Sequence, residues 1–453
     1  MKTIFVIVDS GAAIRNILRT NVLAVLKGRP DTRLVIFSPL VDEGFRLEFE
    51  CENVIVEPAR TWKPNLMVKL LRSLKKDLWA ERTGIFTFIN HRQRKVRGVF
   101  KPLMRRCFNW YSSHRNLDPI ELCERLEKRF TPLLAEDVFN RYRPDLVFYT
   151  SLYSKNPCVE IGALQRQVKS VCFIHSWDNP TSKGPFPFRP DRVIVWNEVL
   201  PDELMKYHNI SKDNIFVSGV PQFDIYHGRD GYLSKDSFFK KWGLDPSRRL
   251  ITYTTGDVGI LPDEHEVVEM LYDALVNDSF ACPCQLFVRP HPKDNYELYE
   301  KFHGKPFLTL QRPGRLASTN DNWNPTKEDM NGLGELMWYS DVVVNTASTI
   351  TIDAACFDTP VINVAFDGPQ NKPFIESCRR FYDFEHYRNI VNTGGVKVAY
   401  SIEELVEDVN VYLDNPSIDA GGRERIRQEQ CWKLDGKSGE RIARYLIDNL
   451  DGD

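Results

Sequence analysis

The chain has no apolar run approaching the roughly 18 residues that a membrane-crossing helix needs. Its opening, Met1-Lys2-Thr3 followed by Ile4-Phe5-Val6-Ile7-Val8-Asp9, is too short for a signal-peptide core and reads as a first strand. Neither sign of charge is in excess. The 60 Lys and Arg against 62 Asp and Glu leave a net of −2, which gives no reason to expect bulk nucleic-acid binding. Low-complexity tracts and internal repeats are missing too. The ten cysteines form no repeated framework: Cys282-Pro283-Cys284 is the one close pair, and no second pair or histidine set completes a zinc site. These absences lead us to expect a soluble or peripheral protein with reduced, mostly core thiols, cytoplasmic or held at the inner face of the plasma membrane.

What is present is a chain of 453 residues, too long for one ordinary core and suited to two domains of roughly 200 residues each. In the first half, apolar strand-like runs at 3–8, 33–37, 54–56, 146–149, 171–174, 192–195 and 215–217 alternate with helical stretches, notably 14–26 and 119–142. The second half repeats the scheme, with strands at 250–254, 286–288, 341–344, 361–364 and 396–399 and helices at 265–277, 349–357 and 402–413. Strands separated by helices imply parallel sheets with right-handed crossovers, so the expected class is α/β with two Rossmann-like domains. The polar segment 224–248 is the candidate hinge.

One segment departs from this pattern. Residues 60–115 carry 15 Lys or Arg against two acids, Asp77 and Glu81, with Trp62, Trp79, Phe86, Phe88, Phe100, Phe108, Trp110 and Tyr111 interleaved. That composition suits an anionic membrane surface or a polyanionic acceptor, and it equally suits a helical insertion with a solvated basic face. Nucleic acid would use similar chemistry, but no recognition motif accompanies it, so no nucleic-acid partner is expected.

The chemistry-bearing residues sit where strands end. Strand 286–288 delivers Arg289-Pro290-His291-Pro292-Lys293, and strand 341–344 delivers Asn345-Thr346-Ala347-Ser348-Thr349 with Asp353 one helical turn further on. Arg289, His291 and Lys293 can offer charge to a diphosphate, and Ser348 and Thr349 open a helix whose amides favour the same anion. Asp353 can accept from a ribose hydroxyl, and a plain helix cap by Ser348 is the alternative. Thr254-Thr255-Gly256-Asp257 places Gly256 and Asp257 in a small turn after the first strand of the second half, where donor phosphates would be met. In the first half, His175 at a strand's carboxyl end can act as general base, with Asp178 orienting it or replacing it, although a hydrogen-bonded loop histidine fits as well. Asp9-Ser10-Gly11 and Ser218-Gly219-Val220-Pro221-Gln222 are further candidate cleft turns, through Gly11, Gly219 and Gln222, or simply tight packing.

The order of these motifs resembles the CDP-glycerol glycerophosphotransferases of teichoic acid synthesis. His175 through Gly184 resembles their Trp-His-Gly-Thr-Pro-Leu-Lys, Gly219-Val220-Pro221-Gln222-Phe223-Asp224 their Gly-Tyr-Pro-Arg-x-Asp, and Arg289-Pro290-His291-Pro292 their Arg-x-His-Pro. Tyr339-Ser340-Asp341, Ser348-Thr349, Asp353 and Pro360-Val361-Ile362 follow in register, and Asp435-Gly436-Lys437-Ser438-Gly439-Glu440-Arg441-Ile442 resembles their Asp-Gly-Lys-x-Ser-Glu-Arg-Ile. The resemblance implies the GT-B fold, shared with nucleotide-sugar transferases and non-hydrolysing UDP-N-acetylglucosamine 2-epimerases. It implies an acceptor-side domain at 1–224 holding the insertion, a hinge at 225–248, a nucleotide-donor domain at 249–425, and a terminal segment at 426–453 returning to the first domain. It departs at three places: the family's Thr-Trp-Arg is Thr255-Gly256-Asp257, its Pro-Arg is Pro221-Gln222, and its Asp-Tyr-Ser-Ser is Thr346-Ala347-Ser348-Thr349, the first two each removing an arginine. Loss of two cations disfavours phosphoryl transfer, which develops charge on the transferred phosphorus.

The expectation is therefore an inverting, metal-independent glycosyltransferase with His175 as base and Asp178 or Asp9 as alternatives. It would use a nucleotide sugar as co-substrate, no cofactor, and a glycan or lipid-linked acceptor in surface-polymer synthesis. A CDP-glycerol or ribitol phosphotransferase, a nucleotide-sugar 2-epimerase and a non-catalytic glycan-binding member are the other readings.

Overall fold

Val, Ile, Leu and Phe crowd the strands of both halves, which calls for sheets covered on both faces. The computed structural model describes residues 1–93, 106, 108, 110, 114–150, 156–229, 231–316 and 323–452 and contains two such sheets. Unit 1 comprises Met1–Pro221 with Gly439–Asp453, and unit 2 comprises Gln222–Ser438.

Unit 1 is built on seven parallel strands: β1 (Lys2–Ile7), β2 (Thr32–Ser38), β3 (Val54–Pro58), β4 (Leu146–Tyr149), β5 (Lys169–Phe173), β6 (Arg192–Val195) and β7 (Ile215–Val217). Their order is β3-β2-β1-β4-β5-β6-β7. The chain winds outward from β1 and then restarts on its other side at β4, so a topological switch point lies between the carboxyl ends of β1 and β4. The helix Ser438–Asp451 lays Ile442, Ala443 and Leu446 into unit 1 and is tied down by Lys2 Nζ on Leu450 O (2.8 Å) and Lys169 Nζ on Asn449 O (2.8 Å).

Unit 2 repeats the plan with β8 (Arg249–Thr254), β9 (Cys284–Arg289), β10 (Leu308–Leu310), β13 (Val342–Asn345), β14 (Val361–Val364) and β15 (Lys397–Ala399), in the order β10-β9-β8-β13-β14-β15. A short antiparallel pair, β11 (Arg315–Leu316) and β12 (Trp323–Asn324), stands apart from that sheet. Here the switch point lies between β8 and β13. The segment read as a hinge, 225–248, carries the end of a helix, Asp224–Gly228, and a full one, Lys235–Trp242, both within unit 2.

Two expected helices are broken. The stretch 14–26 divides into a π-helical turn, Ile14–Leu18, and a helix, Asn21–Lys27, because Thr20 donates its hydroxyl to Asn16 O (2.9 Å) and caps the second helix by accepting from Val22 N. The stretch 119–142 breaks into Pro119–Phe130 and Glu136–Tyr142 at Thr131-Pro132, where proline disfavours helical backbone in the residue before it. In the basic segment, Trp79 and Phe88 are core residues, not surface aromatics, and Trp79 Nε1 donates to Tyr207 O (2.8 Å). Phe100 and Tyr111 lie outside the described residues. Among the described residues no helix is long and apolar enough to cross a membrane.

Candidate functional site

In unit 1 the parallel register brings Ile7, Tyr149 and Cys172 into one row across β1, β4 and β5, so the turns after those strands lie side by side. Thr150 ties the first two together by donating its hydroxyl to Ile7 O (3.2 Å). His175 is fixed on the same residue: its Nδ1 lies 2.6 Å from Thr150 O. A carbonyl oxygen only accepts, so Nδ1 carries a proton, and any proton that the ring takes up goes to Nε2. The imidazole is half-buried at the carboxyl edge of the sheet. The sequence suggests Asp178 as the group that orients His175, but Nδ1 belongs to the Thr150 carbonyl. The Asp178 carboxylate accepts from Ser176 and from Ser182 Oγ (2.5 Å), bracing the short turn Asn179–Ser182.

Asp9 follows β1 in this row, and Ser10 caps the turn starting at Gly11 by accepting from Ala13 N (3.3 Å). Behind Asp9 sits Glu160, buried in the first turn of the helix Cys158–Gln165. Burial pushes its carboxyl up to about 8, against the opposing pull of its own helix amides, and the nearby Asp9 charge adds to the rise. Gly219, beyond β7, has φ +85°, a conformation that a side chain would strain. Arg441 of the terminal helix donates to the preceding Ser218 O (2.7 Å). Gln222 is buried at the start of unit 2.

In unit 2, Arg289, Thr254 and Asn345 form one register row across β9, β8 and β13. The loops after these strands are stitched together by Thr255, whose hydroxyl accepts from His291 N (2.8 Å) and donates to Asp294 Oδ2 (2.6 Å). His291 is half-buried and its Nδ1 accepts from Lys293 N (3.1 Å), whereas the Lys293 side chain is exposed. Arg289 is buried, with Nη1 donating to Gln311.

Gly256 donates its amide to Glu264, a buried carboxyl that also accepts from Tyr253 OH (3.2 Å). Burial raises the Glu264 carboxyl to about 7. Asp257 accepts from Gly259 N (2.9 Å) and closes its own turn.

After β13 the backbone passes through Ala347 at φ +43°, a strained value for a residue with a Cβ and a common mark of functional turns. The hub of this turn is the fully buried Asn345, whose Oδ1 accepts from Ser348 N (3.1 Å), Thr351 Oγ1 (3.1 Å) and Asn363 Nδ2 (3.2 Å). Its own Nδ2 and the neighbouring Thr254 Oγ1 are buried without a hydrogen-bond partner among the described residues.

The helix itself begins at Ile350 and not at Ser348. Ser348 Oγ accepts from Ile350 N (3.3 Å), so the cap reading describes its resting role. Asp353 is buried and accepts from Tyr226 OH (2.6 Å), which packs in turn against Phe357. That hydrogen bond ties the carboxylate to the helix Asp224–Gly228 within unit 2.

Thr150, Glu264 and Asp294 join these candidate clusters without having been singled out in the sequence, and Asn345, visible there only as the start of its turn, proves to be the turn's hub. Among the described residues no group of three or more His, Cys, Asp or Glu is placed to hold a metal ion.

Residues 187–448, more than half of the chain, match the sequence profile of the CDP-glycerol:poly(glycerophosphate) glycerophosphotransferases. The chain belongs to that family. It is accordingly a transferase, and the glycerophosphotransferase match covers the whole of unit 2 together with the last two strands and most of the terminal helix of unit 1. No curated protein matches the chain in sequence.

Among solved structures the fold is similar to that of S. aureus MnaA in its UDP co-structure, with TM-score 0.57 and 12% identity over 100% of this chain and 97% of that one. It is also similar to the Neisseria meningitidis UDP-GlcNAc 2-epimerase bound to UDP-GlcNAc (TM-score 0.56, 12% identity, 99% and 100% covered) and to a glycosyltransferase from Rickettsia africae (0.51, 12%, 99% and 99%). At such identities the likeness is one of fold, and the fold is GT-B with two Rossmann-like domains.

Proposed function

We propose that this transferase moves a sugar from a nucleotide-diphosphate donor to a hydroxyl of a surface-glycan or lipid-linked acceptor, by inverting displacement without a catalytic metal. One observation carries the reading. At the unit 2 switch point the strand ends bring together hydroxyls, the His291 imidazole, a buried Arg289 held by Gln311 and the exposed Lys293, while the first loop holds a carboxylate at Asp257. A departing diphosphate is adequately met by such a set. A phosphoryl group in flight spreads charge over its equatorial oxygens and calls for a clamp of several cations.

In this account His291, Lys293 and the hydroxyls of Ser348 and Thr349 hold the diphosphate, with Gly256 allowing close backbone approach. His175 takes the proton of the acceptor hydroxyl, since its Nδ1–H on Thr150 O leaves Nε2 as the acceptor. The family match favours a second reading, transfer of glycerol phosphate from CDP-glycerol through the same two histidines.

Thermal-shift titration with CMP, CDP, UDP, GDP and TDP tests the donor half. At least one diphosphate should stabilise the protein. Lys293→Ala should weaken that nucleotide by roughly ten-fold, the usual cost of losing a hydrogen bond between charged partners. No stabilisation by any nucleotide, or unchanged affinity in Lys293→Ala, would contradict the placement.

A further inference from the structure

The helix Leu66–Thr83 of unit 1 runs antiparallel to the helix Pro119–Phe130, and side chains fix the pairing along its length. Arg82 meets Asp118 (2.6 Å) at one end and Arg72 meets Glu127 (2.6 Å) in the middle, and at the other end Asn65 Nδ2 donates to Phe130 O (3.1 Å). One face of the first helix is core: Val68, Leu71, Leu74 and Leu78 are buried. The start of that helix nevertheless exposes large apolar side chains, Leu66 (73%), Met67 (45%) and Leu70 (39%). The abutting end of its partner adds Phe130 (41%) and Leu133 (56%). Leu66 and Leu70 are four apart and Met67 and Leu70 three apart, so the three share one face.

Around this apolar end stand the exposed cations Lys63, Lys69, Lys128 and Arg129. Three neighbouring acids are engaged, Glu127 by Arg72 and Lys75, Glu124 by Lys75 and Arg189, and Asp137 by Arg60, so that exposed Glu136 stands against four exposed cations. A second copy of the chain would bring the same cations against each other. An anionic bilayer would meet both features at once, taking the apolar side chains below its headgroups and the cations among its phosphates.

We infer that this end of the helix pair is a membrane-docking tip, with Leu66, Met67, Leu70, Phe130 and Leu133 entering the interface and Lys63, Lys69, Lys128 and Arg129 contacting anionic headgroups. The tip works independently of which group the enzyme transfers. It gives the fold a fixed footing on a lipid surface, where a lipid-linked acceptor would be found.

The full chain should co-sediment with vesicles of equal parts phosphatidylglycerol and phosphatidylcholine, and weakly or not at all with pure phosphatidylcholine. Near an anionic surface each cation contributes about five-fold in affinity. Replacing Lys63, Lys69, Lys128 and Arg129 together by Gln should therefore lower binding by well over ten-fold. Leu66→Ser, Met67→Ser and Leu70→Ser in one chain should make the residual binding vanish on raising salt, because only screened charge remains.

The indole introduced by Leu70→Trp, a substitution at an exposed site, should be quenched by lipids brominated in their acyl chains. Failure of the unaltered chain to bind anionic vesicles would overturn the inference, as would wild-type binding in both multiple variants, or binding of the Leu70→Trp variant without quenching. Concentration-dependent self-association abolished by the three serine substitutions would overturn it in favour of a second copy.

Discussion

His175→Ala is expected to lower turnover by roughly 10²–10⁴-fold while leaving the fold and nucleotide affinity intact, the range associated with loss of a positioned general base. The expectation rests on the contact between Nδ1 and Thr150 O, which fixes both the tautomer and the ring plane. Because the partner is a backbone carbonyl of the turn after β4, the ring's orientation depends on the sheet and not on a neighbouring acid. Asp178→Asn is accordingly a control with a distinct outcome. It disturbs the Ser176 and Ser182 contacts of a short turn, so it should cost far less than His175→Ala. Measurements of kcat and KM on both variants, with circular dichroism to verify folding, check this. Equal losses in the two variants would move the base to Asp178, and full activity in His175→Ala would remove the histidine from the chemistry.

The largest expected effect on stability comes from Glu160. Its carboxyl rises from 4.5 to about 8 on folding, chiefly through burial. The folded state therefore holds a proton that the unfolded chain releases between those two values. The stabilisation is full below about 4.5, is lost progressively as pH rises toward about 8, and is absent above that. The shift corresponds to ~3–5 kcal/mol across the window. Glu264, raised to about 7, adds a loss of the same sign in unit 2. Glu160→Gln, which keeps the shape and removes the charge, should be more stable than the unaltered protein at pH 8.5 and close to it at pH 5. Thermal unfolding at the two pH values decides the point, and parallel pH profiles for variant and parent would refute it.

Much of the fold was legible because its strands are buried on both faces and appear as continuous apolar runs, with the correct parallel class following from their alternation with helices. Strand β10 was not legible. Leu308-Thr309-Leu310 is too short to show a period and follows Phe307, which sits at positive φ. The turns bearing His175, His291 and Ser348 were visible as strand ends rich in polar residues. What they touch was not, since those contacts depend on sheet register and join distant segments. Thr150 matters only because β4 lies between β1 and β5, and Asn345 becomes a hub only when β14 brings Asn363 beside it.

Asp353 was visible one turn into its helix, but its contact with Tyr226, from a segment read as a hinge, was not. Lys75 reads as surface charge but is buried, with Nζ donating to Phe186 O (2.9 Å).

Transfer of a sugar and transfer of a phosphoryl group leave different masses on the acceptor. Purified enzyme is incubated in parallel with CDP-glycerol and with a panel of nucleotide sugars, each with a lipid-linked acceptor, and the products are weighed by mass spectrometry. The acceptor should gain the mass of one sugar residue, and the gain should be lost in His175→Ala. A gain equal to glycerol phosphate from CDP-glycerol, with no sugar incorporated from any donor, would show phosphoryl transfer instead.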